Sequence, residues 1–168
     1  MKKRILILFL AVVPVLVVAG AAIAGGLFRE ARDATSAFRD IEVARDAGYS
    51  IRVADAAGIE CIDSSEGTMG VHMLNPLLLN GTVDEATPEL LVYEPRKHGG
   101  MKLVALEYLV FEADWKGAAP PQLFGREFDY VPAGNRYGLP PFYALHAWIY
   151  RHNPKGDLYA WNPKVDCP

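Results

Sequence analysis

Cysteine and histidine are scarce in this chain: two cysteines and four histidines among 168 residues. Neither cysteine belongs to a C-x-x-C pair or has a histidine beside it, and no two histidines stand at H-x-x-x-H spacing, which excludes the recognisable zinc motifs. The G-x-S-x-G elbow of serine hydrolases is missing, as are the G-x-x-x-x-G-K and G-x-G-x-x-G loops that cradle phosphates. Positive charge is not in excess either, with 17 Lys/Arg against 20 Asp/Glu and a formal net charge of −3. Lys2, Lys3 and Arg4 take three of those cations to the extreme N-terminus, so the remainder is more acidic still. That balance argues against nucleic acid or an anionic lipid surface as a partner, since both recruit a basic face. No internal repeat or low-complexity tract interrupts the chain.

What is present begins with a targeting signal. The three cations precede an uncharged run from Ile5 to Phe28, and Ala22-Ile23-Ala24 ends it as an A-x-A site. This predicts a secretory signal over residues 1–24 and a single exported domain over 25–168. An uncleaved anchor is the alternative, the run being long enough to span a bilayer, and would be the only membrane contact. Under either reading the positive-inside rule puts the rest outside the cytoplasm, whether secreted, periplasmic or held on the outer face. In such a compartment Cys61 and Cys167 are expected to form one disulfide, and a cysteine nucleophile is not expected.

Periodicity then sets the fold class. Phe28, Ala31, Ala34, Phe38, Ile41 and Ala44 recur at steps of three and four, predicting one amphipathic helix over Phe28–Ala47 capped by Gly48. Tyr49–Ala54 alternates as a short strand, and the polar Asp55–Thr68 reads as a loop. Glu89–Glu94 and Met101–Phe111 are apolar strands joined by a Gly-rich turn, a hairpin. Glu112–Leu139, rich in Pro, Gly and aromatics, reads as a lid over one end, with Phe124–Tyr130 as a short strand. Leu139–Asn153 reads as a central strand, apolar on both faces. The class expected is α+β: one N-terminal helix packed on a curved, mostly antiparallel sheet or small barrel.

GTMGVHMLNP (67–76), LVYEP, ALEYLV, LFGREF, YALHAW and WNPKVDC together resemble a pattern found in a group of small exported bacterial proteins. The resemblance covers roughly residues 35–167. It implies export from a bacterial cell and one domain behind a signal, and it brings no reaction, cofactor or catalytic residue.

Three side chains stand out as chemistry placed among apolar neighbours. Glu107 interrupts the apolar row Leu103, Ala105, Leu109 and Phe111, His146 lies mid-strand, and the glycines around Met69 hold His72 in a defined place. If the fold makes them converge, two imidazoles and a carboxylate form a ligand set for one divalent metal, Zn, Cu or Fe. A purely structural buried network is a second reading, in a non-catalytic envelope protein. A third makes them the polar floor of a small-molecule pocket walled by Tyr108, Phe124, Tyr137, Tyr143 and Trp148, residues that otherwise belong to the core. His98 and His152 fall in turns and are set aside as solvated.

Overall fold

Strand segments between Ile51 and Ala147, most of them rich in apolar residues, pair into one antiparallel sheet. In the computed structural model, which describes residues 26–168, its strands are β1 (Ile51–Arg52), β2 (Cys61–Ser64), β3 (Gly67–Leu74), β4 (Leu90–Pro95), β5 (Met101–Phe111), β8 (Asp129–Val131) and β9 (Phe142–Ala147). The order is β1-β3-β4-β5-β9-β8, with β2 sharing the β1 edge of β3. A separate two-stranded ribbon joins β6 (Gln122–Leu123) to β7 (Arg126–Glu127). The sheet stays open between the β1/β2 edge and β8, so the barrel alternative is not realised. The expected signal and its cleavage point lie outside the described residues, among which no helix is long and apolar enough to cross a membrane.

The single helix expected over Phe28–Ala47 is broken into α1 (Arg29–Thr35), a 3-10 turn (Ser36–Arg39) and α2 (Ile41–Asp46). Asp40 breaks it. In extended conformation, its carboxylate accepts from the Glu42 N–H at 3.0 Å and so caps α2, an interaction an interior helical aspartate cannot make. The apolar stripe still does its work: Phe28, Ala31 and Ala44 are buried against the sheet, with Phe38 and Ile41 beside them. Gly48 closes α2 at φ +101, as a left-handed cap requires.

These helices cover one face, where Leu91, Tyr93, Leu106, Tyr108 and Leu145 form the main core. Burying each such side chain contributes roughly 1.5–3 kcal/mol. A β-bulge shifts the register after Val92, where Tyr93 pairs Leu103 and Val92 pairs Ala105. Leu103 therefore joins the helix-side core, not the row of Glu107 expected from simple alternation. Residues 55–68 also depart from the expected loop. β2 pairs antiparallel with β3 from Cys61↔Val71 to Ser64↔Gly67, a polar edge strand with no apolar alternation to announce it.

The expected lid divides between the two faces. Phe124 and Phe128 pack into the helix-side core, while Tyr137 and Leu139 cross to the opposite face. Cys61 and Cys167 are joined by a disulfide across a separation of 106 residues, fastening the C-terminal tail to β2. That bond points to a non-cytoplasmic location. Asn75, Asn153 and Asn162, each followed by Pro, accept from the N–H two residues on and lock their turns.

Candidate metal centre

The face turned away from the helices carries the site. β3 contributes His72, β5 Glu107 and β9 His146. Glu107 and His146 are direct partners across the β5–β9 ladder. His72 stands two strands away, paired with Val92 on β4, while Glu107 is paired with Leu90. The side chains of His72 and Glu107 thus meet over β4. Gly70 helps bring the strands together: a Cβ there would lie 2.7 Å from the Tyr93 carbonyl oxygen, so only glycine allows this approach of β3 to β4.

The resulting distances are short. His72 Nε2 lies 3.2 Å from His146 Nε2 and 3.3 Å from Glu107 Oε2, and His146 Nδ1 lies 3.8 Å from Glu107 Oε1. One ligand atom from each residue falls within 4.8 Å of the others. In a tetrahedral zinc site, bonds of ~2.0–2.1 Å imply ligand–ligand edges of ~3.3 Å. The two contacts of His72 Nε2 already have that length, and the remaining edge of a set with one donor per residue is no longer than 4.8 Å. The residues are 2 %, 8 % and 3 % exposed, and among the described residues no lysine or arginine makes an ion pair with Glu107. Among the described residues, His72 Nδ1 is buried without a hydrogen-bond partner of good geometry.

Burial governs the protonation of all three. It pushes the Glu107 carboxyl up to about 8, assisted by the nearby Glu89, and holds His72 down at about 4, the Gly70 backbone offsetting a part. His146 is driven well below its ordinary range by burial and by His72. Near neutrality the cluster is therefore two neutral imidazoles and a protonated carboxyl. Neutral imidazoles are ready ligands, and Glu107 has one proton to give up.

Glu89, which sequence reasoning passed over, is a second buried carboxyl. Burial raises it to about 8, and its Oε2 accepts from the Leu109 N–H at 2.9 Å. Its signal was faint: one acid between Pro88 and the Leu90-Leu91-Val92 run.

An apolar cavity of about 380 Å³ adjoins the cluster, with His72 and Glu107 in its wall. Of the five aromatics expected around the site, Tyr137 alone lines this cavity. Tyr108 and Phe124 pack with Phe28 on the helix face, where strand alternation puts every neighbour of Glu107 on β5. Tyr143 sits against Tyr130 on that same side. Trp148 shares the site's face, its ring near-parallel to His146 at 6.1 Å, but packs with Val92 and Val165 beyond the cavity. Phe111, Leu109, Leu90 and Phe142 form the walls instead. His98 and His152 are exposed. No family model matches the chain, and no curated protein or solved structure matches it.

Proposed function

We propose that this is an exported bacterial protein that binds one divalent transition metal ion through His72, Glu107 and His146, beside an apolar cavity. One observation carries the reading: donor atoms from three strands converge within 4.8 Å, two of their separations at the length of a metal's coordination edges, in a buried place where no cationic side chain among the described residues pairs Glu107. The ligand types suit zinc, copper or iron. An ion so held, with a position left to a small molecule, would acidify a bound water or polarise a coordinated oxygen. Export rests on the N-terminal pattern, and the disulfide supports it.

A purely structural network is favoured by one contact, the 3.2 Å approach of His72 Nε2 to His146 Nε2, which suits a hydrogen bond between neutral rings. Elemental analysis of the protein, purified without a histidine tag from an oxidising compartment, separates the two. About one equivalent of zinc, copper or iron, lost in a folded His72→Ala/His146→Ala variant, is the expected result. No metal in the parent, even after reloading, leaves the structural network.

A further inference from the structure

Charge and shape at the cavity wall specify what would enter it. A divalent ion held by two neutral imidazoles and the Glu107 carboxylate retains one net positive charge. The three ligands are 2–8 % exposed, so water compensates that charge poorly. Among the lining residues the only other charged group is Arg52, already paired with Glu60 at 2.8 Å and of the wrong sign. Apart from the Tyr137 phenol, whose hydroxyl faces Met69 Sδ at 3.8 Å, the remaining wall is hydrocarbon, chiefly Leu74, Leu90, Leu109 and Leu139 with Phe111 and Phe142. A hydroxide would balance the charge but leave these walls wet. A single anionic head on an apolar body satisfies both demands.

On the reading that the cluster holds a metal, we infer that the cavity binds a small apolar monocarboxylate, with its head at the ion and its chain along the leucine and phenylalanine walls. Size follows from volume. A cavity of about 150 Å³ takes one benzene, so 380 Å³ accommodates about ten to fifteen carbon atoms.

The test titrates decanoate and 1-decanol calorimetrically into the zinc-loaded and the chelator-stripped protein, beside a Leu79→Trp variant. Leu79 lines the cavity and is no metal ligand, so tryptophan there fills the space while zinc content stays at the parental level. The expected result is decanoate binding at least tenfold tighter than decanol in the zinc form, with that preference lost on stripping and binding lost in Leu79→Trp. Zinc bound at one equivalent with no preference for decanoate, or decanoate binding unchanged in zinc-loaded Leu79→Trp, overturns the inference and leaves the metal site standing. If no zinc is bound, the metal reading fails and this inference falls with it.

Discussion

Glu107 sits directly opposite His146 on the β5–β9 ladder, so the carboxyl and one imidazole are held in register by main-chain hydrogen bonds and not by each other. Side chains placed this way need no mutual attraction to stay close. His72 completes the group from the far side of β4, where it is paired with Val92.

Glu107→Gln keeps the shape and removes the anion. Metal affinity is expected to fall roughly 100-fold or more, since an amide is a weak ligand and the ion then lacks its only anionic side chain. A competition assay against a zinc chelator measures it. Retained affinity would remove Glu107 from the ligand set.

Metal binding should release one proton below about pH 8, where Glu107 is protonated in the free protein. Both imidazoles are already neutral near pH 7, so they release none. Affinity is expected to rise about tenfold per pH unit between pH 6 and 8 and then level off. Calorimetry in two buffers of different ionisation enthalpy counts the proton; a count of zero rejects this assignment.

Much of this was legible in sequence, and the gaps have physical reasons. Period-two alternation identified the β4–β5 hairpin and both faces of β5 from Ala105 to Phe111 and of β9, because strands buried on both sides repeat their pattern often enough to read; it overran the end of β9, which stops at Ala147 and not at Asn153. It could say which face Glu107 takes, but not that His72 would reach it over β4, which depends on registers between distant segments. The bulge at Val92 moved Leu103 across the sheet with no local sign. The misplaced aromatic walls have a different cause. Aromatic richness does not tell one face of a strand from the other, whereas alternation makes Tyr108, next to Glu107, face the other way.

The metal-free protein is expected to be most stable between about pH 4.5 and 6.5. Glu107 and Glu89 are raised from 4.5 to about 8, so the folded state favours their protonated forms and loses that stability as pH rises through 8. His72 is lowered from 6.5 to about 4, so its contribution is present above 6.5 and lost as pH falls through 4. From 4.5 to 6.5 the two carboxyls and two imidazoles oppose one another. Thermal unfolding in chelator should show Tm declining from pH 6.5 to 8, less steeply in Glu107→Gln, and zinc should counter the decline. A Tm that climbs over that range would contradict these shifts.

Gly70→Ala tests whether the approach of β3 to β4 sets His72. Gly70 has φ +111, and an added Cβ would meet the Tyr93 carbonyl at 2.7 Å and a Val92 methyl at 3.2 Å, neither of which yields without moving a strand. Gly58 has φ +81 with nothing within 4 Å of an added Cβ, so Gly58→Ala carries the backbone cost alone. That cost is about 1 kcal/mol and should leave metal affinity unchanged. Gly70→Ala carries the clash as well, and a loss of about 2–3 kcal/mol, or roughly 5–10 °C in Tm, is expected. Because His72 lies two residues along the same face and directly opposite Val92, metal affinity should drop at least tenfold alongside. Equal losses in the two variants, with affinity preserved in both, would show that the close approach serves the fold and not the site.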